Sequence, residues 1–405
     1  MGKVAIIGGG AAGLMAAASA SINNKVFIFE KNEKLGKKIY ITGKGRCNLS
    51  NNTDINEFLE NVIKNPKFLY KALNTFSPDK TLSFFEDAGL SLKIERGNRV
   101  FPASDKASDV TKTLEKILKQ NNVTINLNSE CQEILVEDGK VIGVKVNDKI
   151  FKFDSVIIAT GGISYPLTGS TGDGYKFARK LGHEIVLPKP SLCGIELKGD
   201  FFKQLQGLSL KNVKISALIN DKVVYSDFGE MLFTHFGVSG PIILSCSAVI
   251  NDKNLDNAYL NLDLKPALST ETLENRLLRE FKENNTKSIA NVMRSLLPKN
   301  LVEPVLARAN VNKNVNCSQI SVKVRQDIIN VLKCFKMKIK CLRPIEEAIV
   351  TSGGVSTKNV DPKTMESKLI KGLFFAGEVL DVDAFTGGFN MQIAFSTGYL
   401  AGISC

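Results

Sequence analysis

The glycine-rich segment near the start of the chain constrains the fold more than any other feature. Gly8-Gly9-Gly10-Ala11-Ala12-Gly13 has the spacing G-x-G-x-x-G. The apolar residues 3–8 before it predict a buried strand, and the alanine-rich residues 11–23 predict a helix. A second strand is predicted over residues 25–30. The three elements together predict a βαβ unit.

Each glycine of this segment has a separate role in a dinucleotide-binding turn. Gly8 permits the tight turn, Gly10 leaves room for a pyrophosphate, and Gly13 lets the helix lie close to the sheet. The N-terminus of the helix offers free N–H groups and positive potential to the phosphates. Glu30, seventeen residues after Gly13, ends the second strand where a carboxylate accepts both ribose hydroxyls of an adenosine. This context indicates a Rossmann-like site.

The same segment has a second interpretation, which the glycines disfavour. Residues 4–20 are almost entirely apolar and follow Lys3, as in the apolar region of a signal peptide. The glycine spacing and the strand that follows are typical of the Rossmann unit instead. Elsewhere no stretch approaches the roughly 20 apolar residues of a membrane span. We therefore expect no membrane partner.

Cysteine usage indicates the compartment. The eight cysteines are scattered along 405 residues, form no C-x-x-C pair, and are accompanied by only two histidines, His183 and His235. This pattern disfavours both a disulfide framework and a structural metal site. We expect reduced thiols, no bound metal and a cytoplasmic protein.

The character of the chain changes twice, which predicts an interrupted domain. After Pro188 and Pro190 short β-like runs dominate up to residue 264, and residues 269–331 are mainly helical. Beyond Arg343-Pro344 the chain is again rich in glycine, as it is near its start. We predict an α/β fold in which a Rossmann-like domain is interrupted by a β-rich insertion that carries a helical part. The predicted domains are a nucleotide domain (1–190 with 345–405), a β-rich insertion (191–268 with 332–344) and a helical subdomain (269–331).

Segments after the first fingerprint favour FAD over NAD as the dinucleotide. Ala159-Thr160-Gly161-Gly162 follows a short apolar strand and places small residues where a chain passes close to a cofactor. The apolar residues 373–376 lead into Gly377 and Glu378, an acid suited to the ribityl hydroxyls of a flavin. Thr386-Gly387-Gly388-Phe389-Asn390 then opens a predicted helix over residues 391–401. Its N-terminus suits the N1/C2 carbonyl region of a reduced flavin.

The basic residues are concentrated in two segments of a chain whose formal charge is +12. Residues 282–343 hold thirteen Lys/Arg against three acids, and residues 31–46 hold six against one. Such concentrations indicate a polyanion as a possible partner, although charged segments are usually solvated surface.

At this point the sequence resembles a known family. The resemblance rests on five motifs: the first fingerprint with Glu30, the string T-G-K-G-R-C-N at 42–48, the segment 159–162, the string T-H-F-G-V-S-G-P at 234–241, and the C-terminal A-G-E-V-L-D with G-G-F-N. They are similar to the bacterial NAD(P)/FAD-dependent oxidoreductases of the HI type, and the match covers essentially the whole chain. That family includes aminoacetone-oxidase-like, bile-acid-pathway and ribosomal RNA dihydrouridine synthase members.

The resemblance implies both a fold and a reaction. It implies an FAD domain of the two-dinucleotide-binding type, a barrel-like insertion and a helical subdomain. It also implies reduction of a uridine in 23S ribosomal RNA to dihydrouridine. The basic residues 282–343 would then hold the RNA by neutralising its phosphates. DNA is not an expected partner. NAD(P)H is the expected reductant. Its binding is expected to be transient because no second G-x-G-x-x-G is present.

Two residues are candidates for the proton donor that such a reduction requires, and the residues alone do not rank them. Cys47, beside Arg46, lies just past a glycine-lysine loop, where a thiol of near-neutral pKa would supply a proton; Lys44 and Arg46 would instead favour the thiolate. A buried packing role for Cys47 is the alternative. His235 lies in the second family string and is the other candidate. The predicted catalytic residues are Cys47, His235 and Arg46.

The predicted cofactor-binding residues come from seven separate stretches of the chain. They are Gly8, Gly10, Ala11, Ala12, Gly13, Glu30, Lys31, Thr42, Gly43, Gly45, Arg46, Cys131, Ala159, Thr160, Gly161, Gly377, Glu378, Gly388, Phe389, Asn390 and Met391.

Three functions remain open from the sequence. The first is the flavin-dependent reduction of a ribosomal RNA uridine. The second is an FAD-dependent oxidoreductase of a small molecule, such as a steroid-like enone or an amine, for which the basic surface is incidental. The third is a flavin-loaded, RNA-binding assembly factor without turnover.

Overall fold

The computed structural model describes residues 2–405, which divide into two compact units. Residues 2–191 and 345–405 form one of them, named here the Rossmann unit. Residues 192–344 form the other, named the barrel unit.

The strands and helices follow in chain order. The strands are β1 Lys3–Ile7, β2 Lys25–Phe29, β3 Ser50–Asn51, β4 Leu92–Glu95, β5 Arg99–Pro102, β6 Thr124–Asn126, β7 Cys131–Glu137, β8 Lys140–Val146, β9 Lys149–Lys152, β10 Ser155–Ile158, β11 Ile185–Ser191, β12 Ile195–Leu197, β13 Ser209–Ile219, β14 Lys222–Phe233, β15 Gly237–Ser239, β16 Ala258–Asp263, β17 Phe335–Leu342, β18 Val350–Val355 and β19 Leu373–Phe375. The α-helices are α1 Ala11–Ala20, α2 Ile55–Glu60, α3 Tyr70–Thr75, α4 Pro78–Asp87, α5 Ala107–Gln120, α6 Asp173–Lys180, α7 Pro241–Ile250, α8 Thr270–Glu283, α9 Ile289–Met293, α10 Lys299–Arg308, α11 Val322–Lys333 and α12 Phe389–Ser404.

A five-stranded parallel sheet is the centre of the Rossmann unit. Its strand order is β19-β10-β1-β2-β6, and Ile7 of β1 aligns with Ile158 of β10 and Phe29 of β2. These strands are short and almost wholly apolar because a parallel sheet is buried on both faces. Parallel strands present their carboxyl ends at one edge, so the turns after β1, β2, β10 and β19 meet there. The predicted Rossmann-like α/β fold is confirmed.

Two helices from opposite ends of the sequence pack against each other in the same unit. A Cβ placed on Gly398 of α12 would lie 2.3 Å from the carbonyl oxygen of Ala12, and one on Gly402 would lie 2.4 Å from that of Ala16. The contacts advance towards the C-termini of both helices together. Helices α1 and α12 therefore run parallel, and their N-termini point the same way. Eight residues more of α12 precede its contact with α1, which extends its N-terminus about 12 Å further.

A tight hairpin turn lies at Asp138-Gly139, a dipeptide typical of two-residue hairpins. Strands β7 and β8 pair antiparallel on either side of it, and Asp138 and Gly139 have φ values of 48° and 72°. Positive φ at both central residues is the requirement of the two-residue hairpin turn that suits the strand twist.

The barrel unit is a closed six-stranded barrel with helices that share its core. The strand order is β12-β15-β14-β13-β16-β17. Leu273 of α8 and Ile328 of α11 belong to the same buried cluster as Ile215 and Leu260 of the barrel. The expected β-barrel-like insertion is therefore confirmed, and the helical residues are packed on it.

One helix within the barrel unit contradicts the expected β-like character of residues 193–264. Pro241–Ile250 forms α7, which begins after Gly240 at a φ of 100°. A short, continuously apolar run has no periodicity that separates a buried helix from a buried strand. Proline at the first helical position was the available start signal.

All eight cysteines are free thiols, five of them buried. Among residues 2–405, no helix combines the length and the apolar character needed to cross a membrane. Within the same residues, His, Cys, Asp and Glu side chains form no group of three that could hold a metal ion.

Candidate functional site

The first fingerprint contains two glycines that the fold requires and one that faces open space. A Cβ on Gly13 would lie 1.9 Å from the Gly8 carbonyl oxygen, and one on Gly8 would lie 2.6 Å from that of Ala159. A Cβ on Gly10 would meet no heavy atom within 4 Å. Gly10 is also the residue before the first turn of α1, whose N–H groups are free for an anion. The turn therefore leaves space for a pyrophosphate beside Gly10.

Glu30 is tied to this turn. One carboxylate oxygen accepts the backbone N–H of Gly9 at 2.7 Å, and the other accepts the backbone and side-chain N–H groups of Asn32 at 2.9 Å and 2.6 Å. The side chain is buried, with 8% of its surface exposed. Glu30 is thus held rigidly at the carboxyl end of β2, where the sequence predicts a ribose-binding acid.

The turns after β10 and β19 lie next to each other and include an unsatisfied polar atom. Thr160 Oγ1 is buried without a hydrogen-bond partner among the described residues. The N–H of Gly377 donates to Thr397 Oγ1 of α12 at 2.9 Å, and a Cβ on Gly377 would lie 2.6 Å from the Cβ of Ala12. Small residues at these positions allow the strand ends and both helices to approach closely.

Glu378 is the centre of a partly buried network of hydrogen bonds that the sequence did not predict. The Lys38 ammonium group donates to Glu378 at 2.8 Å and to Ser164 Oγ at 2.6 Å. Ser164 Oγ and the backbone N–H of Thr351 also donate to Glu378, each at 2.9 Å. Burial acts to raise the Glu378 pKa, but Lys38 and these hydrogen bonds outweigh it and hold the pKa below its usual value. Glu378 is therefore an ionised, fixed carboxylate.

The loop at 39–48 reaches the start of α12. Gly43 and Lys44 adopt left-handed backbone angles that interrupt a 3-10 helix over Ile39–Gly45. After this loop, Asn48 Oδ1 is buried and lacks a partner among residues 2–405. A Cβ on Gly388 would lie 2.8 Å from that oxygen. The side-chain amide of Asn51 donates to the Gly387 carbonyl at 3.0 Å, which fixes the loop against the turn.

These groups fit a long dinucleotide. The first βαβ turn offers space and N–H donors, and the start of α12 adds a second set of N–H donors about 12 Å further along. Near that second site lies the unpaired acceptor Asn48 Oδ1, and Thr160 Oγ1 is a further unpaired atom at the same edge of the sheet. A flavin ring edge carries both acceptor carbonyls and an N–H donor, which such a combination of donors and acceptor would satisfy.

Other predicted cofactor residues have structural contacts of their own. Lys31 pairs with Asp173 at 2.6 Å, and the side chain of Asn390 bonds the main chain of Ala384 in both directions, at 2.9 Å and 2.7 Å. Phe389 packs edge-on against Phe58 with centroids 5.0 Å apart. Cys131 is buried at the start of β7.

The remaining predicted residues lie at three places in the Rossmann unit. Ala11, Ala12 and Gly161 belong to the strand-end turns and α1, Thr42 and Gly45 to the 39–48 loop, and Met391 to the first turn of α12.

The expectation of a near-neutral pKa for Cys47 is wrong. Its side chain has no exposed surface, and burial raises the pKa of its thiol to about 12. The backbone N–H of Cys47 donates to the Thr42 carbonyl at 3.0 Å, and its φ is 59°. Neither neighbouring cation lowers this pKa. The geometry therefore matches the packing role.

Arg46 is engaged with carboxylates at the surface. Its guanidinium group donates to Asp105 at 2.7 Å, pairs with Glu95, and stacks over Phe101 at 4.2 Å from the ring centroid. The hydrogen bonds that the Arg46 guanidinium donates to Glu95 and Asp105 raise the pKa of Arg46. Its charge is thus compensated locally, which explains why it does not influence the Cys47 thiol.

His235 lies in the barrel unit, between β14 and β15, and is exposed. Its ring meets Phe236 edge-on at 5.1 Å, and Phe236 in turn lies under the Arg343 guanidinium at 4.6 Å. The neighbouring Thr234 Oγ1 is buried without a hydrogen-bond partner in the described residues. Thus His235 is accessible and sits on a supported loop.

Asp383 is a buried acid that the sequence did not single out. It accepts hydrogen bonds from Ser191 Oγ at 2.7 Å and Ser352 Oγ at 3.1 Å, so it ties together β11 and β18. Burial raises its pKa to about 6.

The two basic segments differ in how much of their charge is paired. In residues 31–46, four of the six cations pair with carboxylates: Lys31, Lys37, Lys38 and Arg46. In residues 282–343, five of the thirteen do so: Lys313, Arg325, Lys333, Lys340 and Arg343. The first segment consequently offers little free charge to a polyanion.

The comparison with protein families yields one match over nearly the whole chain. The family described as "HI0933-like protein Rossmann domain" matches residues 2–404.

Two relatives have 32% identity to this chain. One is the 3-dehydro-bile acid delta(4,6)-reductase of Clostridium scindens, aligned over 99% of this chain and 98% of its own length. The other is the ribosomal RNA dihydrouridine synthase of Haemophilus influenzae, aligned over 98% of this chain and 97% of its own length. Both alignments thus include the two units.

A solved structure shares the fold at low identity. The 3-ketosteroid-Δ4-(5α)-dehydrogenase of Rhodococcus jostii superposes with a TM-score of 0.54 at 13% identity, covering 99% of this chain and 96% of that one. At this identity the likeness concerns the fold alone.

Proposed function

This chain belongs to the HI0933-like Rossmann-domain family and is an FAD-dependent oxidoreductase, and on that premise we propose that it reduces a uridine of 23S ribosomal RNA to dihydrouridine. The proposal has two steps. The first is the reaction class, and the second is the substrate.

The substrates named for the two relatives have one chemical feature in common. A uracil C5=C6 bond is conjugated to the C4 carbonyl, and the double bonds at positions 4 and 6 of a 3-dehydro-bile acid are conjugated to its 3-oxo group. In either substrate, hydride adds to the carbon remote from the carbonyl and a proton adds to the carbon next to it. The shared reaction class supports reduction of a conjugated carbon–carbon double bond.

The choice of RNA over a small apolar substrate rests on one observation, the unpaired cations of the barrel unit. Eight of the thirteen Lys/Arg in residues 282–343 have no carboxylate partner among the described residues. A steroid-like substrate has at most one or two charges and would not require them. A polyanion gains affinity from each phosphate that a cation neutralises.

The residues of the Rossmann unit are proposed to hold FAD, which supplies the hydride when bound. The space beside Gly10 and the first turn of α1 would take the pyrophosphate, and Glu30 would take the ribose. Asn48 Oδ1 and the start of α12 would take the polar edge of the ring. NAD(P)H is proposed as the reductant.

For the proton, His235 is the better candidate. Cys47 has no exposed atom, so its thiol has no route to a substrate carbon, whereas His235 is exposed. Arg46 is engaged by Glu95 and Asp105. We therefore propose that His235 gives the proton and that Cys47 and Arg46 maintain the 39–48 loop.

The test compares 23S ribosomal RNA from a strain without the gene and from the same strain complemented with it. Mass analysis of nuclease fragments is expected to find one uridine that lacks the mass of two hydrogen atoms in the deletion strain. Complementation restores the mass, and complementation with Gly10→Val does not. Identical fragments in both strains would contradict the RNA reaction. Flavin reoxidation by a steroid enone would then favour the small-molecule function.

A further inference from the structure

The outer face of strand β17 concentrates positive charge. Burial alternates along the strand: Phe335, Met337 and Ile339 are in the core of the barrel unit, so the lysines at 336, 338 and 340 point outward. Successive outward residues on a strand are about 7 Å apart. No acid occurs in β17, whereas β14 on the other side of the barrel carries Asp227 and Glu230.

An aromatic ring lies among these lysines. Tyr259 of β16 is directly opposite Lys338 in the strand register, and Lys336 is opposite Asn261. The ammonium group of Lys336 lies 4.1 Å from the centroid of the Tyr259 ring, and that of Lys338 lies 5.7 Å from it. The two lysines thus flank one tyrosine.

Two further cations border this group. Arg308 donates to the Lys336 carbonyl and stacks at 3.9 Å over Phe335. The backbone N–H of Lys198 donates to the Lys338 carbonyl at 2.9 Å, which places Lys198 beside the same strand. None of Lys198, Arg308, Lys336 and Lys338 forms an ion pair with an acid in the part of the chain that the structure describes.

We propose that Tyr259, Lys336, Lys338, Lys198 and Arg308 form a docking surface for a single-stranded segment of RNA. Proteins that hold single-stranded nucleic acid combine cations that track the phosphates with an aromatic ring on which a base stacks. The cation–π contacts with Tyr259 are weak at an exposed site, so a phosphate draws the ammonium groups from the ring and uncovers it. Charge complementarity identifies the partner as a polyanion, and the partly exposed ring of Tyr259 identifies it as one that carries bases.

This inference rests on the proposed function, because it assigns the surface that holds the RNA substrate. It also restricts the predicted RNA contact. Of the basic residues in 282–343, Lys313, Arg325 and Lys333 are paired with Glu303, Glu274 and Asp263. Among the unpaired cations of 282–343, only Arg308, Lys336 and Lys338 lie over aromatic rings of the described residues, so the proposed surface is restricted to strand β17 and its neighbours.

The test measures binding of the flavin-loaded protein to fluorescent oligouridine of about twelve nucleotides, within the site sizes of strand-binding domains. For Lys336→Gln/Lys338→Gln, the slope of log affinity against log salt is expected to fall by about 1.4, with about tenfold weaker binding at low salt. Tyr259→Leu is expected to weaken binding about tenfold, and Tyr259→Phe to leave it unchanged, because stacking needs the ring and not the hydroxyl. The control Lys112→Gln/Lys119→Gln removes two exposed charges from α5 and is expected to change nothing.

The outcomes separate this surface from the proposed reaction. If the wild-type protein forms dihydrouridine in unmodified 23S RNA and both the double glutamine variant and Tyr259→Leu bind and react normally, the docking surface is wrong. If Tyr259→Leu binds normally while heparin competes fully, the surface is a general polyanion site and the RNA assignment is overturned. If the wild type forms no dihydrouridine but the variants weaken oligouridine binding as stated, the surface stands and the proposed reaction fails.

Discussion

The Rossmann unit and the barrel unit use their positive charge in opposite ways. In the Rossmann unit, Lys31, Lys38 and Arg46 are directed to carboxylates of the same unit. In the barrel unit, Lys336 and Lys338 rest on an aromatic ring and have no acidic partner among the described residues.

The difference shows that a local excess of Lys and Arg in a sequence has two physical meanings. Residues 31–46 follow a strand end, where loops from distant parts of the chain converge and supply acids such as Asp173 and Glu378. The lysines of β17 alternate with core residues on a barrel strand, so they must point to solvent. Charge that stabilises the fold and charge that is available to a partner look alike in composition.

The largest expected effect tests the proposed proton donor, His235 of the barrel unit. For His235→Gln, turnover is expected to fall by about 10² to 10⁴, the usual contribution of a general acid, while flavin binding is unchanged. For Cys47→Ser in the Rossmann unit, turnover per bound flavin should fall less than about tenfold, since the thiol only packs. Single-turnover reoxidation of the reduced flavin by substrate measures both. A larger loss for the cysteine variant than for the histidine variant would reverse the assignment.

Removing a paired lysine of the Rossmann unit should cost more stability than removing an unpaired lysine of the barrel unit. Lys38→Met leaves the partly buried Glu378 carboxylate without its cation, which is expected to lower the free energy of unfolding by about 3 kcal/mol. Lys336→Met in the barrel unit should change it by less than about 0.5 kcal/mol. Urea unfolding of the flavin-free proteins gives both values, and Lys38→Met/Glu378→Gln should recover most of the loss. Equal values for the two single variants would refute the contrast.

Filling the space beside Gly10 should separate cofactor binding from folding. Its φ of −82° suits any residue, and a side chain meets no protein atom within 4 Å of its Cβ. Gly10→Val is therefore expected to weaken FAD binding about 100-fold while the unfolding of the flavin-free protein changes by less than about 1 kcal/mol. Gly10→Ala should give an intermediate affinity. Titration of the flavin-free protein with FAD measures the series, and unchanged affinity for the valine variant would exclude this path for the pyrophosphate.

The smallest effect concerns the buried acid Asp383, whose pKa rises from 3.8 to about 6. A raised pKa means that the folded state holds the proton more tightly. Its contribution to stability is thus fully present below pH 3.8 and is lost as the pH rises through 6. The difference in unfolding free energy between the wild type and Asp383→Asn should shift by about 2 kcal/mol over this window, in favour of the variant at neutral pH. A difference that stays constant from pH 4 to pH 7 would show that burial does not perturb this carboxyl.

The order of residues was sufficient to predict the Rossmann turn and a β-rich insertion, whereas the barrel was an implication of the family resemblance. The fingerprint at 8–13 combines a strand, a turn and a helix within a few residues, so local geometry alone defines it. The hairpin at Asp138-Gly139 is predictable for the same reason. Helix α7 was not, because a short apolar run is compatible with either regular structure.

The candidate site was less predictable than the fold. Cys47 and Arg46 are adjacent in sequence, yet the first is fully buried and the second is bound by Glu95 and Asp105. The partners that decide this lie about fifty residues away, beyond the reach of any local pattern. The network of Lys38, Ser164 and Glu378 was missed for the same reason.

The printed sequence suffices for the dinucleotide turn and the alternation of strand β17, because both follow from backbone sterics and side-chain periodicity over a few residues. It also indicates that the two ends of the chain contribute to one cofactor site. Folding determines which cations are neutralised and which thiols are shielded, and it places Asn48 beside Gly388. Those properties depend on distances between residues far apart in the chain, because Coulomb interactions and burial act through space rather than along the backbone.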